Sequence, residues 1–157
     1  MGTRSAVFRQ TENGLEGCYV HWDGYPEHMV GALYELLRRD GYETVCRTLI
    51  DEAPNGWSSI NPFQEDEPVD AMAPHIIAKK YWGRYYKEDI ADRPMSSLTE
   101  ARDSMCEYAY ILVGSDADYV SIEAYDLYEN MEEPMTCTKV LCDHEYDSYC
   151  PNCGLSA

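Results

Sequence analysis

Two neighbouring segments decide the fold: Glu-Tyr-Ala-Tyr-Ile-Leu-Val at residues 107–113 and Tyr-Val-Ser-Ile-Glu-Ala-Tyr at residues 119–125. In the second segment Val120, Ile122 and Ala124 alternate with more polar residues, as in a strand that buries one face. The sequence Gly-Ser-Asp-Ala-Asp between the segments is typical of a turn. The two segments therefore predict a β-hairpin.

A similar pattern opens the chain. Residues 5–10 and 16–22 predict two strands, and the Asn13-Gly14 dipeptide between them is favoured in tight hairpin turns. We therefore expect a second hairpin at the N-terminal end of the chain.

A helix is predicted directly after this hairpin. Pro26 suits the first helical turn, and Asp23 or Gly24 suits the N-cap. Apolar residues then recur at helical spacing as far as Leu37, and Gly41 suits the C-cap.

The order of these elements predicts an α+β fold. We expect an antiparallel sheet with two helices from the N-terminal half, the second near residues 43–51, packed on one face. One further helical turn is predicted at residues 98–104, and residues 75–89 favour short strands. A small zinc-knuckle-like tail at residues 137–157 would pack on the α+β domain of residues 1–136.

The charge is strongly and unevenly negative. The chain has 29 acidic and 12 basic residues, and 13 of the acids but two of the bases lie between Glu100 and Asp147. Such a surface repels nucleic-acid phosphates and anionic membranes, and it attracts basic grooves. We therefore expect a basic protein partner, with no direct nucleic-acid binding and no membrane contact, although solubility alone also explains a high charge.

The predicted partner-binding face lies in the second half of the chain. Its acids would steer the encounter, and its tyrosines would supply packed contacts. The face comprises Asp116, Asp118, Glu123, Asp126, Glu129, Glu132, Glu133, Tyr125 and Tyr128.

The C-terminal cysteines predict a structural zinc site. Cys150-Pro-Asn-Cys153-Gly has the form of a zinc knuckle, and Cys142 and His144 complete a set of four ligands. Cys137 is the alternative fourth ligand. Free thiols or disulfides remain open, although the absence of a secretory segment disfavours disulfides. Cys18, Cys46 and Cys106 fall in predicted elements and are interpreted as small buried residues.

One segment carries a resemblance. Residues 17–26, Gly-Cys-Tyr-Val-His-Trp-Asp-Gly-Tyr-Pro, together with Ser5-Ala-Val, Gly31, Leu33 and Trp57-Ser-Ser-Ile, resemble a family of small uncharacterised phage, prophage and plasmid proteins. That family shares a strand ending in His-Trp-Asp-Gly-Tyr, and the resemblance covers about residues 5–60. It implies a mobile-element setting in the cytoplasm of a bacterial host, and it implies no mechanism.

Charge and resemblance together favour a non-enzymatic interaction protein. It would bind and inhibit a host nucleic-acid-binding protein, for example a CRISPR defence complex, and mimicry of nucleic acid is one way to do so.

Two alternatives remain open. Lys79, Lys80, Trp82 and Arg84 lie in a basic and aromatic segment that can bind a nucleotide signal, or whose bases can simply neutralise neighbouring acids. His21 and Asp23 can form the acid/base pair of a small hydrolase, because residues i and i+2 of a strand share a face. In the structural interpretation of the same segment, Asp23 caps the helix, Gly24 adopts a conformation closed to other residues, and Trp22 and Tyr25 pack the helix on the sheet.

Overall fold

The computed structural model describes residues 2–51, 56–62, 84–85, 95–114 and 120–140. Seven strands are found among them: β1 Ser5–Thr11, β2 Gly14–Val20, β3 Trp57–Ser59, β4 Arg84–Tyr85, β5 Tyr108–Val113, β6 Val120–Asp126 and β7 Thr136–Val140. The helices are α1 Pro26–Asp40, α2 Tyr42–Cys46 and α3 Leu98–Asp103, and a π-helical turn, Arg47–Asp51, directly continues α2. The α+β class and both predicted hairpins are confirmed.

The sheet is mixed, so the prediction of a purely antiparallel sheet is wrong. Its strands lie in the order β4-β3-β2-β1-β5-β6-β7. Within each hairpin the strands are antiparallel, but the two hairpins join through β1 and β5, which run parallel, and β2 and β3 are also parallel. A parallel pair needs a long crossover connection, and the helices between β2 and β5 lie in such a connection.

The first core lies between the sheet and the N-terminal helices. Helix α1 buries one stripe at helical spacing, formed by Met29, Ala32, Leu33, Leu36 and Leu37. These side chains pack with those that alternate along one sheet face, including Val7, Cys18, Tyr110 and Ile122. Burying a side chain of this size stabilises the fold by about 1.5–3 kcal/mol relative to leaving it exposed.

The ends of α1 match the sequence only in part. Gly41 follows the helix with a φ of 85°, as predicted for its C-cap. At the other end the N-cap is Tyr25, and no side chain caps the helix. The prediction that Asp23 or Gly24 caps α1 is therefore wrong, and the fixed φ of Pro26 starts the helix instead.

A second core lies on the opposite face of the sheet. Phe8, Tyr19 and Ile111 pack there with Ala101 of α3 and with Cys106. Two reciprocal hydrogen bonds cap the N-terminus of helix α3. Ser97 Oγ accepts from Glu100 N at 3.0 Å, and Glu100 Oε2 accepts from Ser96 N at 2.9 Å. Helices therefore lie on both faces of the sheet, with the two N-terminal helices together on one of them, as predicted.

The last strand of the described residues, β7, spans the predicted boundary between the α+β domain, residues 1–136, and the tail, residues 137–157. Residues 136–140 form β7, which pairs with β6 at the edge of the sheet. Its largely exposed burial pattern explains why no alternation of apolar residues marked it in the sequence.

Candidate functional site

One end of the sheet collects several segments that are distant in sequence. Ser5 of β1 pairs with both Val20 of β2 and Tyr108 of β5, and Tyr108 pairs with Asp126 of β6. The residues that precede β1 and β5, and those that follow β2 and β6, therefore lie at this end, which we call the acidic end.

Close backbone contacts fix the junction between β2 and α1. Gly24 N donates to Thr3 O at 2.9 Å, and the buried Tyr110 hydroxyl donates to Gly24 O at 2.5 Å. A Cβ on Gly24 would lie 2.6 Å from Ser5 Oγ and 2.7 Å from Thr3 O, so only glycine fits there. The left-handed backbone conformation belongs to Asp23, with a φ of 57°, and not to Gly24 as the sequence suggested.

Three aromatic side chains are exposed at the acidic end. Trp22 is 47% exposed, Tyr25 is 39% exposed, and Tyr128, in the loop after β6, is 55% exposed. The sequence predicted a strand as far as Trp22, but β2 ends at Val20 and Trp22 lies beyond it. Exposed Trp and Tyr side chains are over-represented among the residues that dominate protein interfaces.

The acidic loop, residues 126–133, has an ordered backbone. Asp126 Oδ1 accepts from Tyr128 N at 3.1 Å and from Glu129 N at 3.2 Å. Asn130 Oδ1 accepts in the same way from Glu132 N at 2.8 Å and from Glu133 N at 3.3 Å. Two successive Asx turns therefore hold the loop, while Glu129, Glu132 and Glu133 are exposed.

Two further contacts attach the loop to the rest of the acidic end. Leu127 is buried, and its N–H donates to Glu107 O at 2.9 Å. The Arg102 guanidinium lies over the ring of Tyr128, 5.8 Å from its centroid, within cation–π range. The loop is thus fixed both to Glu107, the residue just before β5, and to α3.

Three carboxylates act on the Tyr108 hydroxyl. Partial burial raises the pKa of Tyr108, and the negative charges of Asp126, Glu107 and Glu27 raise it further. Glu107 precedes β5, Asp126 ends β6, and Glu27 lies in the first turn of α1. The carboxylates of three separate elements therefore act together at the acidic end.

The described residues of the predicted partner-binding face are divided between the acidic loop and β6. Asp126, Tyr128, Glu129, Glu132 and Glu133 belong to the acidic loop, whereas Asp116 and Asp118 lie outside the described residues. Tyr125 is only 8% exposed and belongs to the second core, and its hydroxyl donates to Glu123 Oε1 at 3.3 Å. Glu123 follows the opposite alternation to Asp126, so strand geometry directs these two carboxylates to opposite faces of the sheet.

A cavity of about 380 Å³ opens beside the acidic end. It is lined by Gly2, Thr3, Arg4, His21, Trp22 and Glu107. Gly2 lies so close to the indole of Trp22 that a Cβ there would overlap the ring. No local pattern indicated that Arg4 and Glu107 belong to one site, because the parallel pairing of β1 and β5 brings them together.

His21 makes contacts other than those of the predicted acid/base pair. Its Nδ1 lies 2.7 Å from the Tyr19 hydroxyl, and its ring meets that of Trp22 edge to face with centroids 4.6 Å apart. Because β2 ends at Val20, the rule that places residues i and i+2 on one face does not apply to His21 and Asp23.

The buried thiols agree with their interpretation as core residues. Cys18, Cys46 and Cys106 are at most 4% exposed, and burial raises the pKa of each to about 12. A thiol with so high a pKa is almost entirely protonated at neutral pH and is a poor nucleophile.

Other predicted site residues lie outside the described residues. They include the zinc ligands Cys142, His144, Cys150 and Cys153, and also Lys79, Lys80 and Trp82 of the basic segment. Cys137, the alternative ligand, is exposed in β7, and the backbone of Arg84 lies in β4. In the described residues no group of three or more His, Cys, Asp or Glu is arranged to hold a metal. The zinc site and the nucleotide site stay predictions.

Comparisons with protein-family models, curated proteins and solved structures found no match to this chain. The resemblance of residues 5–60 to phage and plasmid proteins therefore stays a prediction. None of the helices in the described residues is long and apolar enough to cross a membrane.

Proposed function

We propose that this chain is a non-enzymatic interaction protein whose acidic end occupies a basic surface on a host protein. The partner is a nucleic-acid-binding protein, for which bacterial defence complexes of the CRISPR type are the leading candidates. The observation that carries the proposal is the acidic loop, whose backbone is held by side-chain hydrogen bonds while Glu129, Glu132 and Glu133 are exposed.

The loop is preorganised for binding. A flexible acidic segment loses conformational entropy when it docks, and that loss lowers the affinity. Here the Asx turns at Asp126 and Asn130 and the buried Leu127 have already restricted the backbone. The carboxylates can therefore meet a row of cations with little ordering cost.

The overall charge selects the class of partner. At a formal charge of −17, a second copy of this chain and a nucleic acid are both repelled. A basic protein surface is attracted over a distance of about one Debye length, roughly 8 Å at physiological salt. The exposed rings of Trp22, Tyr25 and Tyr128 then supply packed contact area beside the charges.

Matched variants of equal net charge test this proposal. The probe is a fluorescein-labelled decalysine peptide, and its affinity is measured by fluorescence anisotropy at low and high salt. We expect Glu129→Gln/Glu132→Gln to weaken binding about threefold to tenfold at low salt, because two ion pairs are lost. The affinity of the unaltered protein should fall steeply between about 50 and about 200 mM salt.

The control removes the same number of charges at exposed positions away from the loop. Glu12→Gln/Glu43→Gln alters the β1–β2 turn and the first turn of α2, and it should bind decalysine about as tightly as the unaltered protein. Equal weakening by the two double variants would mean that only net charge attracts the probe, and the proposal would then fail. Binding that is indifferent to salt would also contradict it.

A further inference from the structure

The cavity beside Trp22 combines an aromatic wall with a carboxylate. The indole of Trp22 forms one side, and Glu107, which is exposed, forms another. Gly2 packs against the same indole, and the ring of His21 meets it edge to face. These two contacts hold the indole in place while nearly half of Trp22 remains exposed.

The electrostatic surroundings of this cavity favour a cation. Glu107 lines the cavity, and its carbonyl oxygen accepts from Leu127 N of the acidic loop at 2.9 Å, so the acidic loop begins beside the cavity. Arg4 is the cation in the wall, and its positive charge opposes the rise in the pKa of the Cys106 thiol that burial causes. Arg4 also repels a cation in the cavity that it lines, and Glu107 together with the adjacent acidic loop must outweigh this repulsion.

We propose that this cavity binds an arginine side chain of the basic partner. The inference rests on the proposed function and names the group that the acidic end recognises. The planar guanidinium stacks on the exposed indole of Trp22 and donates to the carboxylate of Glu107. Arg4 donates to a main-chain carbonyl next to the bound arginine.

The same chemistry discriminates against lysine. A guanidinium is planar and weakly hydrated, and it can stack on an aromatic ring while forming two parallel hydrogen bonds to one carboxylate. An ammonium is a compact and strongly hydrated point charge that can neither stack as a plane on the ring nor form the two parallel hydrogen bonds. The acidic loop has one aromatic ring, Tyr128, and the Arg102 guanidinium already lies over it, so a preference for arginine should arise mainly at the cavity.

The test compares decaarginine with decalysine, both labelled, at one low salt concentration. We expect the unaltered protein to prefer decaarginine by about tenfold, the size of one desolvated cation–π contact with a bidentate ion pair. Trp22→Leu and Glu107→Gln should each reduce this preference to about twofold or less. The control variant Glu12→Gln, at an exposed position in the β1–β2 turn, should leave it unchanged.

The possible outcomes distinguish a failure of the arginine site from a failure of the proposed function. If Trp22→Leu and Glu107→Gln both keep the full preference, or if the unaltered protein binds the two peptides equally, the arginine site is wrong and the proposed function stands. If neither peptide binds, both are wrong. Glu107→Gln exchanges one exposed side chain for another of equal size, so it serves as a folded variant if Trp22→Leu does not fold.

Discussion

Carboxylates are used in opposite ways at the two ends of the sheet. Toward the β1–β2 turn, Arg9 lies between Glu16 and Asp51, with Nη2 2.8 Å from Glu16 Oε2 and 2.6 Å from Asp51 Oδ1. This guanidinium joins β1 to β2 and to the π-helical turn. At the acidic end, the exposed carboxylates of the loop project from a backbone held by Asp126 and Asn130.

A negative composition therefore does not by itself show whether a given acidic residue stabilises the fold or binds a partner. Glu16 and Asp51 contribute to the fold, because each is paired with a cation across separate elements. In the loop, the short side chains of Asp126 and Asn130 accept hydrogen bonds from the backbone. The longer glutamate side chains are therefore available to bind a partner. Stability and binding should therefore respond to different acids.

The largest expected effect comes from crowding the junction that positions Trp22 and Tyr25. Gly24→Ala places a methyl group against Ser5 Oγ and the backbone of Thr3, and we expect it to lower the free energy of unfolding by about 2–3 kcal/mol. Binding of decaarginine should weaken as well, because the junction must shift. Urea unfolding and anisotropy measure the two effects.

Gly31→Ala is the matched control for this substitution. Gly31 is exposed in α1, where alanine favours the helix by about 1 kcal/mol, so this variant should be more stable and should bind normally. A stable Gly24→Ala protein with unaltered binding would show that the close approach at Gly24 does not shape the acidic end.

A smaller effect on the free energy of unfolding should distinguish the carboxylates paired with Arg9 from those exposed in the acidic loop. Arg9→Met leaves Glu16 and Asp51 without their shared cation, and we expect a loss of about 1–2 kcal/mol in the free energy of unfolding, with decalysine binding unchanged. Glu129→Gln/Glu132→Gln should change the free energy of unfolding by less than about 0.5 kcal/mol. Urea unfolding of both variants in one buffer makes the comparison, and a larger loss from the loop variant would reverse it.

Local patterns in the sequence predicted the local elements. The Asn13-Gly14 turn, the spacing of Val30, Leu33 and Leu37, and the alternation after residue 119 each depend on near neighbours, and each predicted element formed. The parallel pairing of β1 with β5 joins segments about a hundred residues apart, and no local pattern encodes it. For the same reason the cavity between Arg4, Trp22 and Glu107 was not predictable.

The acidic surface could be predicted only in part. The sequence located the acids of residues 126–133, but it did not distinguish them from Glu123 and Tyr125, which strand geometry directs to the second core and its face. Asp126 and Asn130 resembled their neighbours in composition. Their role as acceptors for four backbone N–H groups emerges only from the path of the folded loop.

The most direct test of the acidic end as the docking surface is amide mapping by NMR during titration with decaarginine. We predict that the largest shifts within the described residues fall at 21–25, 105–108 and 126–133, and that those of residues 11–16 and 47–51 around Arg9 stay small. Shifts that are as large around Arg9, or that leave 126–133 unaffected, would contradict the account.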